Sequence, residues 1–431
     1  MKKITTSKKF SNWAGNIKFT APLFAQPATE EELIELIKQH KHIRLVGSGH
    51  SWSNLFETDE LLLNLDNYNK VLHLDRTNKT ITVQSGIKLW QMNEYLDQQG
   101  LALINLGSIE RQSIAGAICT GTHGTGHTFQ CLASQVLSFS LILSDGTKWT
   151  LQKDTELFNA CVINIGVLGV VSQITLQVTD AFRLREKTYT SSFKKVIEEL
   201  DILLENNDHL KIWWLPPSKN VVVFTYERTQ AARNDSRWRQ IFQDEIISVF
   251  GYRFLVGVGN IFPKLRPAIN ELLTSQFRRP LDRIEKSYKV FKVPEPPKHR
   301  ETEWAFDLKC ARKILFDYKE MFTNTRYTFN FIQEIRFTKG DNFWLSECYG
   351  RDTLWIGTYN LYDHQWKDIL KDFEQFGIQN KGRPHWGKEF SVGKDYLEQQ
   401  YDKFQEFVAL KEKLDPRGKF QNKWTKQIFE G

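Results

Sequence analysis

Gly47–Ser51 reads GSGHS, Thr120–Gly126 reads TGTHGTG and Gly166–Gly169 reads GVLG. Loops of this kind let backbone N–H groups approach a ligand without interference from Cβ atoms, and three of them in the first part of one chain point to a cofactor that carries a diphosphate. GSGHSW lacks the third glycine of G-x-G-x-x-G, and the later loops do not open strand–helix–strand units, so a nicotinamide-binding Rossmann fold is disfavoured. No Walker A sequence is present. His50, inside the first loop, is sterically accessible, and its imidazole could act as nucleophile, ligand or proton carrier. His123 and His127 stand four apart, but Gly124 and Gly126 argue against a helix there, so no metal site is read.

Around these loops the text is α+β. Thr29 and Glu32 have capping-box spacing ahead of Leu33, Ile34, Leu36 and Ile37, which predicts a helix. The strand HIRLV then runs straight into GSGHS, TITV and a helix from Leu89 to Gln98 follow, and LSFSLILSDGTKWTL reads as a hairpin turning at Asp145-Gly146. In VVSQITLQV, Ile174, Leu176 and Val178 alternate with polar residues, as in a half-buried strand. After about Asp180 the glycine-rich loops stop, and KIWWLPPSKNVVVFTYERT and FNFIQEIRFT alternate like strands, with a helical stretch from Asp307 to Phe322. The expected division is a cofactor domain over 1–180, to which 411–431 returns, and a second domain over 181–410.

The composition narrows the classes. The chain has 431 residues, a formal charge of +7 and 25% charged residues, which suits an ordinary globular protein and excludes disordered or collagen-like ones. No dense basic run with interleaved aromatics traces a phosphate backbone, so nucleic acid is not an expected partner. Cys119, Cys131, Cys161, Cys310 and Cys348 form an odd set without paired spacing, which fits a reducing compartment. No apolar stretch follows the basic start MKKITTSKKF, so no secretory signal is read and the cytoplasm is the expected location. Ile246–Phe262, IISVFGYRFLVGVGNIF, is apolar but short for a membrane span and holds Arg253, so it reads as a buried or lid helix or a peripheral membrane contact.

GSGHS, NLGSIERQSIAGAICTGTHGTG, GVLGVV, EIRF, RPHWGK and DPRGKFQN occur in the order seen in FAD flavoproteins of the vanillyl-alcohol-oxidase type. From about Asn12 to Asn422 the chain resembles the sugar-oxidising branch of that family, the aldonolactone oxidases and the alditol oxidases. The resemblance implies a two-subdomain FAD-binding fold with an α+β cap over the substrate. It implies that His50 bonds covalently to the flavin while Gly47, Ser48, Gly49, His50 and Ser51 wrap the diphosphate. Ser108, Ser113 and the run Gly116, Ala117, Ile118 and Cys119 match positions lining the FAD, and Val170 or Val171 matches a backbone contact to it. Lys388 in RPHWGK matches a lysine that reaches the flavin N1 edge and the substrate region.

Glu334 and Arg336 stand two apart, so on a strand they share a face. Oxidation of a CH–OH group sends a hydride to the flavin and releases the hydroxyl proton, and a fixed cation beside the charge that develops lowers the barrier. That role falls to Lys388 with Arg336 in support; Glu334 would accept hydrogen bonds from sugar hydroxyls and His385 would take a proton, roles the sequence leaves interchangeable. Gly107, just before Ser108, stands where the resemblance associates a small residue with O2 as acceptor, giving H2O2. NWAGN and RPHWGK look like the alditol oxidases; WWLPPS, EWAFD and EIRFTKGD look like the aldonolactone oxidases, and Gly357, Thr358 and Tyr359 depart from the alditol pattern. The expectation is an aldonolactone oxidase, with an alditol oxidase as the alternative. A catalytically silent, membrane-associated flavin-binding module is the reading from another class.

Overall fold

The computed structural model describes residues 4–234, 251–293, 296–361 and 364–431. The helix Glu30–Gln39 begins where Thr29 accepts a hydrogen bond from the Glu32 amide, while the Glu32 carboxylate reaches the amide of Ala28 rather than that of the cap. Its buried face is Leu33, Leu36 and Ile37, packed on the parallel strands Ile43–Val46 and Leu61–Asn64. With Lys18–Ala25 and Thr5–Ser11 these make a four-stranded sheet. A five-stranded antiparallel sheet follows, in the order Val71–Asp75, Thr80–Gln84, Val170–Gln177, Val136–Ile142 and Lys148–Gln152. The Asp145-Gly146 turn joins the last two, with Gly146 in the left-handed region at φ 85°. The helix Leu89–Gln98 stops before Gly100, which has φ 74°.

The second half is built on one eight-stranded antiparallel sheet, ordered Leu281–Lys286, Arg183–Ser192, Asn220–Thr229, His209–Trp214, Gln333–Thr338, Thr353–Asn360, Arg300–Asp307 and Arg383–Pro384. Its register decides the site. Trp213 stands opposite Glu334, Glu334 opposite Gly357, and Gly357 opposite Glu303. The next row on that face holds Lys211, Arg336 and Trp355, and Tyr359 stands opposite Glu301 on the other side. Residues directly opposite one another lie on the same face, so one face carries the charges and the other carries Ile212, Trp214, Ile335, Phe337 and Ile356. The apolar face is covered by the helices Ala311–Thr323 and Trp366–Gln379.

The chain then returns. Leu397, Tyr401, Phe404, Phe407, Leu414, Ile428 and Phe429 join the core built by the five-stranded sheet. The amide of Ile43 donates to Lys419 O, and Asn422 donates to Asn54 O. Part of the apolar stretch Ile246–Phe262 lies outside the described residues, at 246–250; its remainder forms the helix Tyr252–Ile261. Among the described residues, no helix is long and apolar enough to cross a membrane.

Candidate active site

Two adjoining cavities open in the first part of the chain, and the larger of them reaches the charged face of the large sheet. The narrower, about 130 Å³, is lined by Gly47, Ser48, Gly49, His50, Ser51, Ser113, Gly116, Cys119, Gly166 and Val171, among others. A Cβ on Gly47 would stand 2.3 Å from Ser113 Oγ, and one on Gly169 would stand 2.5 Å from Ile142 O, so side chains there would close the cradle. The second, about 540 Å³, is lined by Gly107, Ser108, His123, Glu301, Glu303, Glu334, Arg336, Tyr359, His385 and Lys388, with aromatic and aliphatic walls. His50, Ser51, Gln112 and Thr120 line both, so the two form one continuous space. A glycine-walled slot opening past a histidine into a larger, mixed chamber fits a cofactor with a slender diphosphate and a broad planar ring.

The strand and helix periods sort the expected cofactor contacts. Ala117 and Ile118 turn into the hydrophobic core and do not line the slot, whereas Gly116 and Cys119, on the other side of the same short helix, do. Val170 packs against Leu61 and Leu63 in a different cluster, and Val171, one residue on and therefore on the opposite face, lines the slot. Of the expected run Gly116 to Cys119, the helix's own geometry thus brings Gly116 and Cys119 to the slot and turns the side chains of Ala117 and Ile118 away from it.

In the chamber, Glu334 Oε1 accepts from Trp213 Nε1 at 2.8 Å, and Oε2 accepts from the Tyr359 hydroxyl at 3.0 Å and from Arg336 Nη2. Burial pushes the Glu334 pKa up, but Arg336, Lys211 and the Trp213 N–H outweigh it and leave it below the ordinary carboxylate range. Arg336 also donates to Ser108 Oγ at 3.0 Å, which ties the large sheet to the first part of the chain. Its Nε is buried without a hydrogen-bond partner among the described residues. Lys388 pairs with Glu301 and lies 4.3 Å from the centre of the Trp52 ring.

His385 is buried, and its Nδ1 accepts the Gly387 amide at 3.0 Å. Burial pulls its pKa down to about 3, despite the pull of Glu303 in the other direction. A neutral ring whose Nδ1 is already an acceptor carries its proton on Nε2, so His385 is placed to donate rather than to take a proton. Glu334, with three donors on two oxygens, is also a weak proton acceptor. The sequence reading weighed His123 only as a metal ligand and passed over its partner Glu303, whose Oε1 stands 3.5 Å from His123 Nε2, and the pair His299–Glu301, also at 3.5 Å. The alternation Glu301, Glu303 ahead of Trp304 was the available signal, since two carboxylates on one face of a buried strand need partners. Among the described residues, His123, Glu303 and His385 bring donor atoms within 4.8 Å of one another.

The comparisons agree with this geometry. The D-arabinono-1,4-lactone oxidase family model matches residues 174–428, and an FAD-binding domain model matches 21–152. The chain is 32% identical to L-gulonolactone oxidase of Bos taurus, covering 98% of each chain. It is 29% identical to L-gulono-1,4-lactone dehydrogenase of Mycobacterium tuberculosis, covering 97% of this chain and 99% of the other. In fold it is similar to the crystal structure of cholesterol oxidase from B. sterolicum, with a TM-score of 0.83 at 16% identity over 99% and 97% of the two chains. The chain therefore belongs to the D-arabinono-1,4-lactone oxidase family and is an FAD-dependent oxidoreductase.

Proposed function

We propose that the protein oxidises a ring CH–OH group of an aldono-1,4-lactone, of the L-gulono or D-arabinono type, and passes the electrons to O2 with formation of H2O2. The observation that carries the reading is the single sheet face on which Glu334, Arg336, Glu301 and Glu303 meet Lys388 across a chamber continuous with the glycine slot. Bound FAD supplies the hydride acceptor. Arg336 and Lys388 supply fixed positive charge where negative charge develops. Glu334, itself oriented by Trp213 and Tyr359, accepts a hydrogen bond from a lactone hydroxyl and fixes the ring. Gly47 to Ser51, Ser113, Gly116, Cys119 and Val171 hold the diphosphate and the adjoining part of the cofactor. The chain divides for this purpose into a cofactor-binding part, 1–180 with 411–431, and a cap, 181–410; the packing of Leu397 to Phe407 extends the return by one helix pair. Anaerobic mixing with a panel of aldonolactones and alditols should bleach the flavin absorbance with lactones. Reduction by alditols alone would transfer the protein to the alternative substrate class.

His50 borders both cavities and stands 5.5 Å, ring to ring, from Trp13. That position supports a covalent bond from its imidazole to the flavin. Acid precipitation should leave the yellow colour in the wild-type pellet, and His50→Ala should release it to the supernatant. Colour that washes out of the wild type refutes the bond. A Cβ at Gly107 would meet His123 O at 3.2 Å and Thr122 Cγ2 at 3.3 Å, so Gly107→Ala narrows this wall of the chamber. Stopped-flow reoxidation by O2 should slow by about 10-fold or more, roughly 1.4 kcal/mol of barrier, with reduction by lactone little changed.

A peripheral membrane contact is supported by Phe254, Ile261, Phe262, Leu265 and Leu272, which are exposed on one helical hairpin at 47–72%. Such a cluster rarely faces water without a function. Co-sedimentation with anionic liposomes that is lost in Phe254→Ser/Phe262→Ser is the expected result.

A further inference from the structure

Oxidation of a hydroxyl-bearing carbon releases a proton as well as a hydride, and neither Glu334 nor His385 is arranged to receive it. We propose that the buried pair His123–Glu303 is the catalytic base, taking the lactone hydroxyl proton as the carbon gives up its hydride; this rests on the lactone-oxidising reading above. The C–H and O–H bonds break and C=O forms; the electron pair leaves with the hydride to FAD, and the proton stays on the His123–Glu303 pair until solvent removes it.

The geometry for this is specific. His123 Nδ1 donates to Gly124 O at 2.9 Å, which leaves Nε2 as the open nitrogen of the neutral ring. Nε2 faces Glu303 Oε1 at 3.5 Å, and both side chains line the chamber with Glu334 and Arg336. The imidazole stacks on Trp355 at 3.7 Å with an interplanar angle of 13°, so its position is held. A proton arriving at Nε2 makes an imidazolium against a carboxylate, an attraction strengthened by the burial of both side chains. The other groups facing the pair are Lys388, Arg336, His385, Glu334, Glu347 and Tyr359. Burial raises the Glu303 pKa; His123, once protonated, lowers it most, and Lys388 and Arg336 lower it further, so the imidazolium that forms meets an ionised carboxylate. Glu347 pushes the other way only when ionised, and burial holds its pKa well above the usual range.

The neighbouring pair His299–Glu301 has similar spacing, but Glu301 makes a direct ion pair with Lys388, whereas Glu303 makes its ion pair with His123. His123, Glu303 and His385 also resemble a metal ligand set in composition. His385 Nδ1 is occupied by the Gly387 amide, however, which puts the ring proton on Nε2, and a ligating nitrogen must be unprotonated.

The test is the pH profile of kcat/KM for an aldonolactone on the FAD-loaded protein. The base must be free of its extra proton to act, so activity should fall with unit slope on the acid side of the profile. Glu303→Gln removes the carboxylate that stabilises the imidazolium; the acid limb should move to lower pH and the plateau should drop about 10- to 100-fold. His123→Gln should lose the limb altogether, with a fall of about 10²- to 10⁴-fold, in the range of general base catalysis. Visible absorbance of bound FAD in each variant reports whether the fold is intact. His299→Asn should leave the limb in place. An unmoved limb in Glu303→Gln, a limb that moves in His299→Asn, or activity abolished by a chelator and restored by a divalent metal overturns the proposal. Wild-type protein whose flavin no lactone reduces overturns the substrate reading instead.

Discussion

Lys388→Met should lower kcat for lactone oxidation by about 10²- to 10³-fold, the scale seen when a preorganised electrostatic group is lost from a water-poor site. Lys388 sits where the chamber, the Trp52 face and the Glu301 carboxylate converge. Its charge contributes to the site as a whole, and Met keeps most of the stem's packing while removing that charge. The substitution has a second consequence that must be separated from the first. Glu301 is buried, and without the Lys388 ammonium, with only His299 left beside it, it would cost about 3–5 kcal/mol of stability. The double variant Lys388→Met/Glu301→Gln removes both charges and should recover most of the stability while its turnover stays low. If the double variant recovered turnover as well, Lys388 would be there to neutralise Glu301 and nothing more. Steady-state kinetics and urea unfolding, run on both variants, give the two readouts.

Arg44→Leu should be among the most destabilising single changes in the protein, by on the order of 3–6 kcal/mol in urea unfolding. Arg44 is buried, and its guanidinium donates to four carbonyls from three distant segments: Leu55 O at 2.6 Å, Gly166 O at 2.9 Å, Ile165 O at 3.1 Å and Phe420 O. Burial pulls its pKa down to about 9, with Asp415 opposing, so it stays charged at neutral pH. One side chain therefore ties the strand before GSGHS to the GVLG loop and to the C-terminal tail. Leucine fills the volume but leaves those carbonyls without a donor, and both loops of the cofactor slot lose their shared anchor. The same variant should bind FAD more weakly, measured by flavin released on gel filtration. A stability change under about 1 kcal/mol would show that water replaces the guanidinium without loss.

Much of this site is legible along the chain because its parts are local. Glycine loops advertise backbone approach, and the alternation in FIQEIRF places Glu334 and Arg336 on one face wherever the strand lies. The hairpin at Asp145-Gly146 and the helix from Leu89 to Gln98 follow from turn chemistry and helical period alone. The order of the motifs points to the family to which the chain belongs. Ala117 and Ile118 show the limit of carrying over a contiguous run: a six-residue helix cannot turn every side chain to the ligand.

The sequence by itself determined several of the strands, such as the one before GSGHS and that of FIQEIRF, where glycine lets a backbone come close, and which residues within one strand point the same way. Strands such as Thr5–Ser11, Lys18–Ala25 and Leu281–Lys286 were not read from it. Only the tertiary structure decided which strands lie side by side, and with them the row Trp213, Glu334, Gly357 and Glu303 and the approach of His123 and Lys388 to it. The physical reason is the range of the interactions. Side-chain direction within a strand is set by its own backbone with a period of two, whereas register between strands is set by burial across the whole sheet, where a slip of one residue would turn the carboxylates into the apolar core.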